Sequence, residues 1–407
     1  MPHSNSRFRL HGQASLVIAL VVCLLSVPAI IGWERSNARA TRELENRNMA
    51  AMPELLLLRK NAPEYIKAMD AYLKDTVGFR IQANALYRKL RYFVFRDPPM
   101  PNITIGRDGH VFLNSPRPTS PYAFFESLCV RQGDPSLKEL DLLDSVMARI
   151  STYLQGQGIQ ATFAIAPSTL SLYADKLPLQ VSPLYRKACL AYPEQDHLLA
   201  RLQRQGMASR RYQLFYPYDL FAAHKDEKGF YPKERYHWEG KSSYLFARHL
   251  TLASGAIDTL IADDAAELSV VPDDITTFFG FARTIKAYVY PYAGQMIIKM
   301  DPQRWLKEFS AQVRLNHIKA ESSLSSKSVL MIANSFGLSL APHLARCFEH
   351  VYFLDLNSIQ EHEQRAVFAA LIKRIRPDYV FFVFDDVNFV QIPSRLAGFM
   401  ELEDMER

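Results

Sequence analysis

Apolar and polar residues follow two different rhythms along the second half of the chain. Short, mainly apolar runs predict buried strands at residues 161–166, 329–333, 351–356 and 378–384, with weaker strand signals at 212–214, 287–290 and 295–298. Apolar residues recur at helical spacing at residues 137–154, 242–252, 338–348 and 358–374. Buried strands that alternate with helices predict a three-layer α/β domain around a mainly parallel sheet.

A longer apolar stretch lies near the N-terminus. Ala14–Trp33 is about as long as one bilayer-spanning helix. Arg7 and Arg9 precede it without an acidic residue, which places the N-terminus in the cytoplasm and the remaining chain across the membrane. We therefore expect a single-pass inner-membrane protein with its main domain in the periplasm. A cleaved signal peptide is the alternative, because Ala38-Arg39-Ala40 has the small-residue pattern of a cleavage site.

The segment after the apolar stretch is polar and then helical, up to the proline-rich break at Asp97–Pro101. A hairpin follows, with apolar arms on either side of Arg107-Asp108-Gly109. The predicted division of the chain is a cytoplasmic tail (1–13), a transmembrane anchor (14–33), a stalk with a helical segment (34–98) and one large α/β domain (99–407).

Charge and cysteine content narrow the function classes. A net charge of +6 with scattered basic residues favours an ordinary solvated surface over nucleic-acid binding, although it suits an acidic polymer. Cys129 and Cys189 either pair or pack separately as small core residues. We predict no metal site, because no spacing of cysteines and histidines suggests zinc.

The turn Asn334-Ser335-Phe336-Gly337 connects a predicted buried strand to a predicted helix. In open parallel sheets ligands bind at the carboxyl ends of strands, and a helix N-terminus favours negative charge there. Ser335 is therefore the candidate nucleophile, with backbone N–H groups after the turn as oxyanion donors. Its other reading is a helix N-cap.

His237 is the candidate general base for that serine. It lies in the loop 229–240, which is dense in aromatic and ionisable residues, and Trp238 beside it can hold the imidazole in one orientation. A hydrogen-bonded structural histidine is the alternative.

Five motifs occur in an order that resembles a known family. They are Gly78-Phe79-Arg80, the hairpin Ile105–Leu113, Ala166-Pro167 with Tyr173 and Leu177-Pro178, the loop Arg235–Gly240, and the serine turn Asn334–Gly337. Together, over roughly residues 70 to 390, they resemble the alginate O-acetyltransferase (AlgX/AlgJ-type) family of SGNH-hydrolase-like proteins.

The resemblance implies a three-layer, flavodoxin-like SGNH fold and an O-acyltransferase activity. Ser335 resembles the acyl-accepting nucleophile and His237 its base, and the implied reaction moves an acetyl group onto hydroxyls of an exported polysaccharide. A multi-pass membrane protein is the implied acyl donor. No cofactor is expected, because the sequence has no acetyl-CoA-binding motif.

The chain departs from the family pattern at two positions. Arg235 stands where the family has an aspartate, and Asn334 stands where an aspartate usually precedes the serine. Glu234 can replace the missing acid, as can Asp385 or Asp386 at the end of the last strand. Asn334 is a candidate oxyanion donor.

The aromatic loop suggests a substrate contact as well. Tyr236, Trp238 and Arg235, with Phe230 and Tyr231, are candidates for binding a sugar, with core packing as the alternative. Three other functions stay open: a periplasmic carbohydrate esterase or deacetylase, a non-catalytic polysaccharide-binding or assembly protein, and an unrelated flavodoxin-like binding domain. The last would leave His237 far from Ser335.

Overall fold

The computed structural model describes residues 48–76, 80–95, 97–115, 122–133, 135–194, 196–258, 266–273, 279, 281–290, 295–298 and 313–404. The expected membrane segment at 14–33, the Ala38-Arg39-Ala40 site, and Gly78 and Phe79 lie outside these residues. No helix within the described ranges is both long and apolar enough to cross a bilayer.

The described residues fall into two compact units. The first takes in the described part of Met1–Pro101 together with Asp273–Arg283. Its helices are α1 (Leu55–Lys60), α2 (Ala62–Thr76) and α3 (Arg80–Lys89), and a π-helical turn at Leu90–Val94 extends α3. The Tyr92 ring meets Phe279 edge-to-face at 5.0 Å between ring centroids, and Arg283 lies 3.9 Å above the Phe279 ring.

The second unit, Asn102–Pro272 with Thr284–Arg407, contains the sheets. Its strands are β1 (Ile103–Ile105), β2 (Val111–Leu113), β3 (Gln160–Ala166), β4 (Gln213–Phe215), β5 (Glu267–Pro272), β6 (Thr284–Val289), β7 (Gln295–Ile298), β8 (Leu315–Ala320), β9 (Ser325–Ala333), β10 (Phe348–Asp355) and β11 (Tyr379–Asp385). β1 and β2 form the predicted hairpin, and β5 pairs with β6.

The remaining strands form one sheet in the order β4-β3-β11-β9-β10-β8-β7. Pairing is parallel from β4 through to β10, and β8 and β7 add an antiparallel edge. The predicted mainly parallel sheet is confirmed. Residues 329–333 of β9 and 379–384 of β11 are continuous apolar runs because helices cover both faces of these central strands.

The helices of the second unit are α4 (Ala123–Phe125), α5 (Leu137–Gly156), α6 (Thr169–Leu172), α7 (Pro183–Ala191), α8 (Leu198–Ser209), α9 (Tyr218–His224), α10 (Lys241–Ala253), α11 (Gly337–Leu344), α12 (Gln364–Ile375), α13 (Ile392–Arg395) and α14 (Ala397–Asp404). α5 begins with a capping box, in which Ser136 and Glu139 satisfy each other's backbone N–H groups. The predicted helix at 358–374 begins later, at Gln364, after 3-10 turns at Leu356–Ser358 and Glu361–Glu363.

Alternate residues of β9 pack into opposite layers. Leu330 and Ile332 join a buried cluster with residues of α5, α8, α12 and α14. Met331 and Ala333 point the other way, where α11 approaches so closely that a side chain at Gly337 would meet both. This alternation is the expected period of a strand, and it turns the two faces of β9 toward different helices.

A disulfide joins Cys129, in the π-helical segment Glu126–Arg131, to Cys189 in α7. Of the two readings of these cysteines from the sequence, the structure has the bonded pair. The remaining described cysteine, Cys347, is buried with a free thiol.

Candidate active site

Ser335 and His237 meet at the carboxyl end of the parallel sheet. β9 ends at Ala333, and Ser335 lies in the turn before α11. Its Oγ atom is 2.6 Å from Nε2 of His237, although 98 positions separate the two residues. The Ser335 side chain is exposed and His237 is half-buried, so a substrate can reach the pair. The alternative of an unrelated binding domain required these residues to lie apart, and this distance contradicts it.

The loop that carries His237 is fastened to the serine turn. Trp238 is fully buried, and its Nε1–H donates to the Phe336 carbonyl oxygen at 2.8 Å. The Phe336 ring also packs edge-to-face on His237, with 5.1 Å between ring centroids, and on Tyr236, at 5.6 Å. The residues on either side of the imidazole are therefore held, which limits the orientations that His237 can adopt.

Asp385, the last residue of β11, lies beneath this pair and is fully buried. Its Oδ1 accepts hydrogen bonds from Asn334 Nδ2 at 2.9 Å and Asn388 Nδ2 at 2.7 Å, and its Oδ2 accepts one from the Tyr236 hydroxyl. Burial raises the pKa of Asp385, while these hydrogen bonds and the charge of His237 act to lower it. The carboxylate is thus bonded to the residues that immediately precede Ser335 and His237 in the chain.

Asn334 has a more structural environment than the sequence suggested. Its Nδ2 donates to Asp385, and its Oδ1 accepts the Phe336 backbone N–H at 3.1 Å. Its expected role as an oxyanion donor stays a prediction, and it would use the second Nδ2 hydrogen.

The oxyanion donors also differ in detail from expectation. The Gly337 N–H bonds to the Asn334 carbonyl at 3.0 Å and the Leu338 N–H to the Ser335 carbonyl at 3.3 Å, and Phe336 N–H is taken by Asn334. The N–H groups after the turn are therefore engaged within it. The Ser335 N–H makes no hydrogen bond to any described residue, so it is the backbone group in this turn best placed to receive an oxyanion.

Arg235 stands where the family that the sequence resembles has an aspartate, and it forms an ion pair within its own loop. Its side chain is buried, and Nη1 contacts Glu239 Oε2 at 2.6 Å. Glu234 is exposed on the same loop. Its role as the acid that serves His237 stays a prediction.

The expected sugar-binding surface needs correction. Arg235, Tyr236 and Trp238 are all buried, as are Phe230 and Tyr231. Trp238 packs on Phe246 with 4.6 Å between centroids, and Tyr236 stacks on Phe124. Tyr236 and Trp238 can lie in the interior because the polar atom of each has an internal partner, Asp385 for the Tyr236 hydroxyl and the Phe336 carbonyl for Trp238.

Asp386 follows Asp385 in the chain but serves another part of the fold. Its carboxylate accepts the Ser168 N–H, at 3.2 Å to either oxygen, and the Tyr216 hydroxyl at 3.1 Å. Burial raises its pKa to about 6. It braces the end of β3, so of the two aspartates that the sequence offered as the missing acid, Asp385 is the one joined to the serine turn and the histidine loop.

Sequence reasoning missed two contributors. Tyr236 was expected to contact sugar, yet it anchors the histidine loop to Asp385. Asn388 was not singled out, although the polar run after the last strand was a signal that side chains gather at this edge. No group of three or more metal-ligating side chains occurs among the described residues.

Of the comparisons with known proteins, only the one with solved structures gives matches. No protein-family model matches the chain, and no curated protein matches its sequence. Among solved structures, the chain is similar to the O-acetyltransferase domain of Pseudomonas putida AlgJ, with 13% identity and a TM-score of 0.44, over 75% of this chain and 99% of that one.

It is also similar to Pseudomonas aeruginosa AlgX, with 12% identity and a TM-score of 0.41, over 75% of this chain and 70% of that one. A third similar structure is Bacillus cereus PatB1 with a sulfonyl adduct, with 15% identity and a TM-score of 0.42, over 61% of this chain and 91% of that one. The chain is thus similar to proteins of the AlgX/AlgJ type, which its sequence motifs also resemble.

Proposed function

We propose that this chain is an O-acyltransferase that moves an acetyl group onto hydroxyls of an exported polysaccharide through an acetylated Ser335. The observation that carries the proposal is the 2.6 Å contact between Ser335 Oγ and His237 Nε2, which lies at the carboxyl end of the central strand β9. A serine hydroxyl in contact with an imidazole, where a substrate can reach both, supplies the nucleophile and base that acyl transfer needs.

In the first half-reaction, Ser335 Oγ attacks the carbonyl carbon of an acetyl donor and its proton passes to His237 Nε2. The tetrahedral intermediate places its oxyanion at the Ser335 N–H. When it collapses, the bond to the donor's leaving group breaks, and His237 returns the proton to that group.

In the second half-reaction, a sugar hydroxyl attacks the acetyl carbonyl of the acyl-serine and gives its proton to His237. The ester bond to Ser335 breaks, and Oγ takes the proton back. An acetyl ester is made for each one consumed, so the cycle needs no cofactor. The donor in this proposal is an acyl group delivered by a multi-pass membrane protein, and the chain is an anchored protein of the inner membrane that works in the periplasm.

The test uses p-nitrophenyl acetate as donor and a uronate oligosaccharide as acceptor. Nitrophenol release reports attack by Ser335, and mass spectrometry of the oligosaccharide reports transfer. We expect Ser335→Ala to lower both rates by at least about 10³-fold, because a nucleophile cannot be replaced by its neighbours. Ser339→Ala, one turn further along α11, is the matched control and keeps both rates.

Two outcomes separate the alternatives. If nitrophenol release depends on Ser335 but neither a uronate nor a neutral oligosaccharide becomes acetylated, the protein is an esterase. Release and transfer that both survive Ser335→Ala show that the enzymatic proposal is wrong and favour a binding or assembly role.

A further inference from the structure

We propose that Asp385 is the positioning acid of this site. The loop that carries His237 has Arg235 where a carboxylate is expected, and Asp385, at the end of β11, holds the imidazole and stabilises its positive charge instead. The inference rests on the proposed function, since it assigns a role in the Ser335–His237 reaction. A histidine base needs an anionic partner to hold it and to stabilise its positive charge.

Strand register brings Asp385 to this place. β11 pairs in parallel with β9, so that Val383 lies opposite Ala333, and the Asn334 N–H bonds to the Val383 carbonyl at 3.3 Å. Asp385 is two residues beyond that pair and Asn334 one residue beyond it. The carboxylate therefore reaches the serine turn from the neighbouring strand β11, and its position is set by strand pairing and not by the loop that carries His237.

The hydrogen bonds of Asp385 end on both neighbours of the reacting pair. Asn334 immediately precedes Ser335, and Tyr236 immediately precedes His237. One carboxylate thus joins the nucleophile's turn to the base's loop. Asn388 supplies a third donor from the chain that follows β11. Three donors on a fully buried carboxylate favour its ionised form.

The charges around Asp385 suit that role. The groups that face it are the Tyr236 hydroxyl, His237 and the amides of Asn334 and Asn388, and Asp386 is its neighbour in the chain. Burial and the charge of Asp385 raise the pKa of Tyr236, which therefore stays a proton donor. Asp386 is turned to Ser168 and Tyr216. Arg235 is a cation and cannot supply the negative charge, and its guanidinium is paired with Glu239.

The chain offers a matched control for this aspartate. Asp355 ends β10 as Asp385 ends β11, and the two strands flank β9 on opposite sides. Asp355 contacts Arg314 at 2.7 Å and the Asn357 N–H at 2.9 Å. It is thus the same residue type at the same sheet edge, with different partners.

The experiment measures kcat, KM and their pH dependence with p-nitrophenyl acetate for the full chain. We expect Asp385→Asn to lower kcat by at least about 100-fold with KM changed by less than about threefold, since the carboxylate acts on the base and does not contact substrate. The acidic limb of the kcat/KM profile moves to lower pH, because the imidazolium loses its anionic neighbour. Asp355→Asn keeps the wild-type profile.

The competing acid is tested in the same series. A wild-type kcat and pH profile in Asp385→Asn, with the loss appearing in Glu234→Gln, overturns the inference and leaves the proposed function intact. Failure of the proposed function is recognised separately, because activity then survives Ser335→Ala.

A second variant keeps the inference testable if Asp385→Asn does not fold, as judged by circular dichroism. Tyr236→Phe removes one hydrogen bond and retains the carboxylate. We then expect kcat to fall about tenfold at an unchanged KM, because the histidine loop loses its hydrogen bond to Asp385. The acidic limb of the kcat/KM profile keeps its position, because the negative charge remains. A wild-type kcat in Tyr236→Phe overturns the inference.

Discussion

Asp385 and Asp386 are adjacent aspartates at the end of one strand, yet their surroundings differ. Asp385 accepts hydrogen bonds from the serine turn and the histidine loop, whereas Asp386 accepts a backbone N–H of Ser168 and the Tyr216 hydroxyl. Burial raises the pKa of Asp386 to about 6, above its ordinary value of 3.8. Between those pH values the folded state therefore binds more protons at this residue than the unfolded state does, so Asp386 stabilises the fold less as pH rises.

Buried histidines act in the opposite direction over a similar range. Burial lowers the pKa of His110, His197 and His317 to about 4 and that of His343 to about 3. The folded state takes up fewer protons there, so these residues contribute stability that grows as pH rises from their lowered pKa values to about 6.5. The effect of Asp386 must therefore be measured as a difference between variants.

We predict that Asp386→Asn gains stability relative to wild type as pH rises from about 4 to about 6. The pKa difference corresponds to a change on the order of 2–3 kcal/mol across that window. Urea unfolding of both proteins at a series of pH values gives the difference in unfolding free energy. Asp141→Asn, at an exposed position on α5, is the control for the substitution itself. A difference for Asp386→Asn that does not change with pH would contradict the prediction.

At the scale of elements, the histidine loop depends on a tight entry into α10. Gly240 precedes that helix with φ +58°, and a Cβ there would overlap the carbonyl oxygen of Tyr288. Gly255 lies just beyond the other end of α10 with φ +68°, and no atom lies within 4 Å of its Cβ position. Both glycines have a conformation that L-residues rarely adopt, but only Gly240 also lacks space.

We predict that Gly240→Ala destabilises the protein much more than Gly255→Ala does. A positive φ alone costs an L-residue about 1 kcal/mol, whereas the overlap at Gly240 must displace backbone and adds at least about 2 kcal/mol more. The two melting temperatures give the comparison. Nitrophenol release falls in Gly240→Ala as well, because the displaced backbone lies three residues from His237. Equal melting temperatures would show that the loop accommodates the methyl group.

At the scale of the whole molecule, the disulfide bears on where the protein works. Cys129 and Cys189 are 60 positions apart, and their bond joins α7 to the segment that follows α4. Disulfides persist in oxidising compartments such as the periplasm. This bond supports the proposed location beyond the inner membrane, and the apolar stretch at 14–33 supplies the proposed anchor.

We predict that the full chain stays in the membrane fraction through an alkaline carbonate wash, because about 20 apolar residues hold a helix in the bilayer. A variant that carries a cleavable secretion signal in place of residues 1–33 reaches the periplasm and is released on osmotic shock. Thiol labelling under denaturing conditions shows the Cys129–Cys189 bond in both proteins. Full-length chain in the soluble periplasmic fraction would contradict the anchor and favour the cleaved signal.

The sequence by itself determined much of the fold. Apolar runs with flanking helical patterns identified the central strands. A strand that is covered on both faces has no alternating polar residues, so it stands out as a continuous apolar run. The positions of Ser335 and His237 were also predictable, since one follows a strand and the other lies in an aromatic loop.

Tertiary structure decided the rest, for reasons that lie outside local pattern. The pairing of β11 with β9 selects Asp385 over Asp386 as the neighbour of the serine turn, and strand pairing is a long-range property that neither segment encodes alone. Burial decides whether Tyr236 and Trp238 contact a sugar or the core, because an aromatic residue suits both and only its neighbours distinguish them.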